Sequence, residues 1–423
     1  MSTQLRDYQA RAIDDCRAAY RSGSRAPLVV MPTGSGKTRV GVEIARSHQF
    51  RMDQAHVLWM AHRTELLDQA RSRLEAEGAD MGRIDVQSIQ TLLRRIDLQP
   101  ATLIVIDESH HIVSKEWSRV ARHYSSAIRL GLTATPERGD GAALGDIFDR
   151  IIVGPTVSEL TARGLLVPCH IVGPRRKQRK AVAGGGPCEA YRAHCAGKRT
   201  VVYCATVAHA EETAAEFRAS GIDCAVIEGR THDAERAASL ARFSNGSLTV
   251  LINVYVLTEG WDCPATEAII VARGVGHAGM GLQIIGRGLR PSPGKTHCIV
   301  CDLTGSWTAG GLPLPTDPVE YSLQGRAIRT LAALPPLRQC QQCGATYRAG
   351  TVRACPRCGF ELPAYVPRKT KEELREMAQR EPVEQRARYW QYLQSEAAKR
   401  GYRPGWARHR FEAKYGHDPR EVL

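Results

Sequence analysis

The chain of 423 residues is long enough for two or three domains, each with a hydrophobic core of its own. Its 58 lysines and arginines outnumber its 44 acidic residues, and the net charge of +14 favours a polyanionic partner such as nucleic acid. No apolar run reaches about 18 residues and the N-terminus is polar, so the sequence predicts neither a membrane span nor export, and a cytoplasmic location is expected.

A phosphate-binding loop is the first motif along the chain. The apolar run 26–31 predicts a buried parallel strand, and a helical stretch to about His48 follows the loop. The loop itself reads Thr33-Gly34-Ser35-Gly36-Lys37-Thr38. We expect its N–H groups to hold phosphates, Lys37 to reach the β- and γ-phosphates of a nucleoside triphosphate, and Thr38 to ligate Mg²⁺. A Gly-rich turn alone is only a turn; strand, loop and helix together favour the nucleotide site.

An acidic pair follows the next apolar run. Residues 102–106 predict a second buried strand, and its carboxyl end, where open parallel sheets bind ligands, carries Asp107 and Glu108. Asp107 suits Mg²⁺ coordination, and Glu108 is placed to orient and deprotonate an attacking water. By itself the pair is typical of a solvated turn; downstream of a phosphate loop it predicts a hydrolytic site.

The second half of the chain repeats the alternation of strands and helices. Four apolar runs predict its strands: 200–204, 224–227, 248–252 and 268–271. No second phosphate loop accompanies them. The sequence therefore predicts an α/β fold of two tandem lobes with parallel sheets and one nucleotide site at their interface.

Gln283, Arg287 and Arg290 form a third motif, far from the phosphate loop in sequence. A guanidinium is planar and always charged, so it can neutralise a γ-phosphate in the transition state. Residues at i and i+3 share a helix face, and on their own they are typical of a solvated surface. With a phosphate site upstream, they favour a catalytic role in a site that opens and closes.

With these motifs in place, residues 4–305 resemble the DEAH-like group of superfamily 2 helicases. The resemblance implies two tandem RecA-like P-loop NTPase lobes, ATP as the nucleotide and nucleic acid as the partner. It also implies that Arg287 and Arg290 are arginine fingers, with Gln283 on the same nucleotide face of the second lobe.

The resemblance implies roles for further residues. Those expected at the nucleotide are Arg6 and Gln9, which read adenine, and Gly260 and Asp262. Those expected on nucleic acid are Arg63, Gln87, Ser88 and Thr258. Those expected to couple hydrolysis to strand movement are His110, Thr133 and Thr135.

Three features narrow the resemblance to phage and bacterial RadD-like DNA-repair helicases. They are His111, Arg138 and the segment 401–406. The stretch between the lobes and the region after residue 305 are shorter than in that subgroup.

Four of the 13 cysteines form a metal-like cluster. Two Cys-x-x-Cys-Gly knuckles separated by eleven residues contribute Cys340, Cys343, Cys355 and Cys358. A single Cys-x-x-Cys can be a redox pair, but two in tandem predict a structural zinc site. The other nine are scattered through the expected lobes, which indicates a reducing compartment. Arginines within 338–360 are equally typical of a nucleic-acid contact and of a solvated surface.

The sequence predicts six segments: lobe 1 (1–170), a basic Gly-rich linker (171–198), lobe 2 (199–305), a second linker (306–337), a zinc ribbon (338–362) and a helical C-terminal extension (363–423). The basic stretch 175–180 fits either a phosphate contact or, as is usual for charge runs, a solvated surface. Helices are expected from Thr370. Their aromatic residues fit base stacking, although their helical spacing favours a small core.

These features predict an ATP- and Mg²⁺-dependent DNA helicase or translocase with structural zinc, acting in DNA repair, recombination or phage replication. Single-stranded or branched DNA is the expected track. The alternatives are an RNA helicase, a remodelling ATPase that does not unwind, and a zinc-dependent DNA-binding adaptor gated by ATP.

Overall fold

The computed structural model describes residues 4–94, 96, 100–112, 114–137, 141–173, 186–258, 260–308, 310–324, 328–330, 334–365 and 381–422. The chain divides into two compact units, Met1–Leu362 and Pro363–Leu423. Within the described residues, no helix is long and apolar enough to cross a lipid bilayer. Arg138, the stretch 175–180 and the expected helix start at Thr370 lie outside them.

The first lobe is built on a six-stranded parallel sheet. Its strands are β1 (Pro27–Val30), β2 (Val57–Ala61), β3 (Ile84–Ser88), β4 (Leu103–Asp107), β5 (Ile128–Thr133) and β6 (Arg150–Val153). Its helices are α1 (Asp7–Arg21), α2 (Lys37–Arg51), α3 (Thr64–Ala76), α4 (Ile89–Arg94), α5 (Ser114–His123) and α6 (Val157–Ala162). The strand order is β3-β2-β4-β5-β1-β6. The central strands are runs of Val, Ile and Leu buried on both faces, as expected for a sheet covered by helices.

The second lobe repeats this architecture. Its strands are β7 (Cys169–Val172), β8 (Thr200–Cys204), β9 (Cys224–Ile227), β10 (Val250–Asn253), β11 (Ala268–Ala272) and β12 (Cys298–Asp302). Its helices are α7 (Pro187–Ala190), α8 (Val207–Ala219), α9 (Asp233–Asn245) and α10 (Ala278–Gly288). The six strands are parallel, in the order β7-β12-β11-β8-β10-β9. The prediction of two parallel α/β lobes is confirmed.

The sheet order of the first lobe brings two of the motifs together. The phosphate loop follows β1 and the acidic pair ends β4, and both strands pair with β5 between them. Since all three strands run in the same direction, their carboxyl ends meet at one edge of the sheet. The loop and the acids therefore face the same cleft.

After β12 the chain returns to the first lobe. We call residues 312–324 the strap. The N–H groups of Leu144 and Gly145 each donate to Leu323 O at 2.9 Å, and Tyr321 and Leu323 pack against the core of the first lobe. Within this region, β13 (Val319–Tyr321) pairs antiparallel with β14 (Ile328–Thr330). The strap thus packs against a lobe, in a region expected to be a linker.

The cysteine knuckles belong to a small module against the second lobe. Its hairpin consists of β15 (Leu337–Gln339) and β16 (Thr346–Arg348). An antiparallel bridge joins Ala345 to Val172 of β7, and the Gln339 amide donates to Gly173 O at 3.1 Å. Arg348 forms a two-point ion pair with the buried Asp317 of the strap, with distances of 3.0 and 2.5 Å. The module is therefore attached both to lobe 2 and to the strap.

The C-terminal unit contains α11 (Val383–Arg400), α12 (Trp406–Tyr415) and α13 (Pro419–Val422). Leu393, Phe411 and Tyr415 form its buried core, and Tyr389 and Trp390 pack against it. The small aromatic core favoured by the helical spacing is confirmed.

Candidate functional site

The phosphate loop has the backbone that its glycines permit. Gly34 and Gly36 have φ angles of 86° and 89°, in the left-handed region that glycine adopts without strain. Gly36 also lies so close to Gln9 that an added Cβ would collide with the Gln9 amide. Lys37 is the first residue of α2 and is 8% exposed.

Residues expected at the adenine pack beneath this loop. The Gln9 amide donates to Ser35 O at 3.0 Å, and Gln9 Oε1 accepts from Arg6 N–H at 3.0 Å. Both side chains line the same cleft as the loop. Their role in reading the base stays a prediction.

The acidic pair is buried beside Lys37. Asp107 and Glu108 are 5% and 8% exposed. Burial and the neighbouring Glu108 raise the pKa of Asp107 to about 7, although Lys37 and a hydrogen bond from Thr38 oppose the rise. Among the described residues, Glu108 Oε2 has no hydrogen-bond partner. Two crowded carboxylates beside a hydroxyl are oxygen donors suited to Mg²⁺, so this donor set fits the ion.

Glu108 itself has a strained backbone. Its φ is 47°, which is uncommon for a residue with a side chain. The backbone N–H of Glu108 donates to Asp107 Oδ1 at 3.0 Å. Strained residues that are fixed by their neighbours concentrate at functional sites, and this one lies at the predicted water-activating position.

His110 connects this pair to the second lobe. The Thr133 hydroxyl donates to Thr135 O at 2.6 Å, so its oxygen accepts from His110 Nδ1 at 3.0 Å. This leaves Nε2 of His110 to accept from the Gln283 amide, 2.9 Å away. The structure therefore brings the three residues expected to couple hydrolysis to strand movement, His110, Thr133 and Thr135, together with Gln283 of the second lobe.

Arg287 lies in α10, whereas Arg290 lies two residues beyond the end of this helix, so the two arginines do not share a helix face as expected and have different surroundings. Arg287 donates to Thr258 O at 3.0 Å and to Trp261 O at 2.6 Å, both within its own lobe. Arg290 contacts Asp262, and its side chain lies against Gly34 of the phosphate loop. Burial lowers the pKa of Arg290 to about 10, so it remains charged at neutral pH.

These groups line one cleft of about 1160 Å³ between the lobes. Its wall includes the residues predicted at the nucleotide, namely Arg6, Gln9, Thr33, Gly34, Ser35, Gly36, Lys37, Thr38, Asp107, Glu108, Gly260, Asp262, Arg287 and Arg290. Gln283 is buried behind it, against His110. The cleft is large enough for a nucleoside triphosphate.

The residues expected on nucleic acid are not among those that line this cleft, although Arg63 and Thr258 border residues that do. Arg63 donates to Val256 O at 2.8 Å and to Tyr255 O at 3.2 Å across the lobe interface. Thr258 donates to the same Tyr255 carbonyl at 2.8 Å. Gln87 and Ser88 end β3, on a different strand of lobe 1. Arg63 and Thr258 thus meet at one point, and the strand contacts themselves stay predictions.

One contact between the lobes was not expected from the sequence. Glu137 Oε2 accepts from Gly279 N–H at 2.8 Å at the start of α10, and lies 3.3 Å from His277 Nδ1. A Cβ on Gly279 would lie 3.0 Å from Thr135 Oγ1. The position of Glu137 directly after the segment Thr133–Pro136 was the only available signal.

The four cysteines of the knuckles converge. Their sulfur atoms all lie within 4.8 Å of one another. Gly344 and Gly359, which follow the knuckles, have φ angles of 75° and 73°. Burial opposes ionisation of Cys340, but N–H groups of Cys343 and Gln342 and the neighbouring thiols lower its pKa to about 7, whereas burial raises the pKa of Cys343. The thiolate is the form that binds metal. This set of four sulfurs fits zinc.

Two family models match the chain in tandem. The model described as type III restriction enzyme, res subunit, matches residues 2–138, and that described as helicase conserved C-terminal domain matches residues 188–292. They correspond to the two lobes in the structure.

Three relatives illustrate the similarity. A 51.5 kDa protein of a Lactococcus phage is 27% identical over 356 residues, covering 79% of this chain and 78% of its own. A Saccharomyces cerevisiae protein that carries the name ATP-dependent helicase IRC3 is 27% identical, covering 74% of this chain and 53% of its own. DNA 3'-5' translocase XPB2 of Sulfurisphaera tokodaii is 31% identical over 36% of this chain and 35% of its own. The chain thus spans about half the length of the yeast relative.

A solved structure shares the fold. A fragment of an HsdR subunit of a type I restriction enzyme from Vibrio vulnificus has a TM-score of 0.58 at 23% identity, covering 73% of this chain and 65% of that one. The narrower resemblance to RadD-like helicases stays a prediction. With both helicase domain models in order and relatives named for helicase and translocase activity, the chain belongs to superfamily 2 of the helicases, which are nucleic-acid-dependent ATPases.

Proposed function

We propose that this chain is an ATP-dependent DNA helicase or translocase whose single hydrolysis site is completed by the second lobe. The hydrogen bond from Gln283 to His110 carries this proposal, because it joins helix α10 to a histidine whose Nδ1 lies 3.6 Å from Glu108 Oε2 of the acidic pair. Arg290, beside Gly34, brings a partly buried positive charge to the same cleft. A site divided between two lobes is sensitive to their separation.

Each residue of the cleft has a chemical task in this proposal. Lys37 and the loop N–H groups hold the phosphates, and Glu108 orients a water and accepts its proton. Thr38 and Asp107 would hold Mg²⁺, which neutralises charge on the phosphates when bound. Arg290 stabilises the charge that develops at the γ-phosphate.

Hydrolysis is coupled to the strand through the residues that span the lobes. Loss of the γ-phosphate removes the group that Arg290 would hold, which weakens the closed arrangement. His110 passes the change to Thr133, and Gln283 passes it to α10. Arg63 and Thr258, which meet at Tyr255, change their grip on nucleic acid as the lobes separate.

DNA is the proposed track, single-stranded or branched. The net charge of +14 favours a polyanion, and one relative is named as a DNA translocase. Repair, recombination or phage replication is the proposed setting. We also propose structural zinc at the four cysteines, and the segments predicted from the sequence with β7 and α7 added to lobe 2.

The test is steady-state ATP hydrolysis without polymer and with single-stranded DNA, duplex DNA or RNA. We expect DNA to stimulate turnover in the wild-type protein. Lys37→Ala should abolish turnover, and Glu108→Gln should bind ATP without hydrolysing it, because Gln cannot accept the proton. A strand-displacement assay on the stimulating polymer then distinguishes unwinding from translocation.

Turnover that no polymer changes would contradict the motor. Stimulation by RNA alone would replace the DNA track, and normal turnover in Glu108→Gln would remove that residue from the water-activating role.

A further inference from the structure

A second strained residue lies on the second lobe, away from the nucleotide cleft. Among the described residues, only Glu108 and Tyr255 have a positive φ without being glycine, and Tyr255 has a φ of 61°. For a bulky aromatic residue this is a genuine outlier. Glycine would adopt this conformation without cost, so the tyrosine requires a reason.

Burial does not supply that reason. Tyr255 is 51% exposed and contributes little to the core. Its ring instead lies over the guanidinium of Arg273, with Cζ 3.6 Å from the ring centroid. Since Arg273 covers one face and half of the residue is exposed, the ring offers a flat surface to solvent.

The loop holds this arrangement firmly. Asn253 Oδ1 accepts from Leu257 N–H at 3.3 Å, while the Asn253 amide donates to Val202 O at 2.9 Å. The Tyr255 carbonyl accepts from both Thr258 and Arg63. A strained residue persists only where its surroundings fix it in this way, and such residues concentrate at functional sites.

The position and charge of the loop indicate a ligand. Tyr255 follows β10 and Arg273 follows β11, so both lie at the carboxyl edge where parallel sheets bind ligands. Arg273 is 6% exposed, and among the described residues no group accepts a hydrogen bond from its buried Nη1. A buried cation behind an aromatic face suits a base that is attached to a phosphate backbone.

We propose that Tyr255, supported by Arg273, is a stacking platform for a base of single-stranded DNA bound across the lobes. This inference rests on the proposed function. It adds a residue that contacts a base to a set of expected contacts that otherwise involve the nucleic-acid backbone. The carbonyl of Tyr255 is held by Arg63 of lobe 1, so the platform moves with the grip between the lobes.

The test compares oligothymidylate with an abasic oligomer of the same length at one low salt concentration, using the full chain. Tyr255→Ala keeps the strained backbone and removes the ring. We expect it to raise the Kd for oligothymidylate by about 5-fold to about 150-fold, as expected for losing one stacked base. The Kd for the abasic oligomer should stay close to the wild-type value, and Tyr255→Phe should bind like wild type.

Two further variants separate stacking from folding. Tyr255→Gly removes the ring and relaxes φ, so its Tm should equal or exceed that of the wild type while its Kd for oligothymidylate rises. Phe50→Ala, at a position that is 92% exposed on the first lobe, should bind both oligomers like the wild type.

Each contrary result has a distinct meaning. If Tyr255→Ala binds oligothymidylate like the wild type, or weakens both oligomers equally, the platform is wrong and the motor stands. If the wild-type protein binds neither oligomer and no polymer stimulates its turnover, the proposed function fails as well.

Discussion

At the scale of single residues, Arg287 and Arg290 are alike in sequence and different in the structure. The Arg287 guanidinium donates hydrogen bonds to the carbonyls of Thr258 and Trp261. Arg290 instead reaches the phosphate loop, and no described group accepts from its Nε. The first therefore holds a turn of lobe 2, whereas the second contacts Asp262 and keeps its Nε available to a phosphate.

This difference predicts two different variants. Arg290→Ala should lower ATP turnover by about 1000-fold or more, as loss of an arginine finger does, with little change in Tm. Arg287→Ala should also lower the free energy of unfolding by about 1–3 kcal/mol, because buried carbonyls lose a charged donor. Turnover and thermal unfolding of both variants check this. If the two variants had equal Tm values and equal losses of turnover, the different roles assigned to Arg287 and Arg290 would be contradicted.

At the scale of elements, helix α10 carries four glycines in eleven residues, which is unfavourable for a helix. Close packing explains two of them. A Cβ on Gly286 would lie 2.6 Å from Thr33 Cβ across the lobes, while one on Gly288 would meet Cys298 of its own lobe. The glycines let one helix approach the phosphate loop on one side and its own sheet on the other.

Alanine at these two positions should therefore act differently. Gly286→Ala should separate α10 from the phosphate loop and lower turnover by about 100-fold, as a misplacement near 1 Å does, without lowering Tm. Gly288→Ala should overpack lobe 2 and destabilise it by about 1–3 kcal/mol. Turnover and urea unfolding measure the two effects. A stable, fully active Gly286→Ala protein would contradict the close approach.

His170, on strand β7, is expected to make the stability of lobe 2 depend on pH. Burial, His297 and Arg357 lower the pKa of His170 from 6.5 to about 4. The unfolded chain therefore binds more protons than the folded one between these values, so stability falls as pH decreases from 6.5 towards 4.

His170→Asn should flatten this dependence, measured by urea unfolding across the same pH range. His409→Asn, whose side chain is 83% exposed in the other compact unit, is the control and should leave it unchanged. An unaltered slope in His170→Asn would show that other groups cause the loss.

At the scale of the whole molecule, the sequence predicted local features better than it predicted long-range contacts. The phosphate loop, the acidic pair and the cysteine knuckles are short segments whose spacing fixes their geometry, so the sequence indicated where they would lie. The strap was expected to be a linker because its composition is rich in Pro and Gly. That composition does not show that Tyr321 and Leu323 pack against an apolar surface of the first lobe. The bond from Gly279 to Glu137 joins residues 142 positions apart, and the φ of Tyr255 is a backbone property that no residue pattern displays.

The cysteine module contacts more of the molecule than a separate ribbon would. Cys340, Ala345 and Tyr347 share a hydrophobic core with Val172 of the second lobe. Through the ion pair of Arg348 with Asp317, the module is also joined to the strap, which packs on the first lobe. Four thiolates around a metal would therefore stabilise a region in contact with both lobes.

Loss of zinc should consequently destabilise the motor and not the module alone. Cys358→Ser replaces an exposed cysteine, so it should remove metal with little loss of packing. We expect about one zinc per wild-type chain, less in the variant, and a lower Tm for the unfolding transition that abolishes ATP turnover. Arg353→Ala, at an exposed position between the knuckles, should keep both zinc and Tm. If the wild-type protein without metal kept the same Tm and the same turnover, the four thiols would not need a metal to stabilise this region. The proposed zinc site would then be wrong.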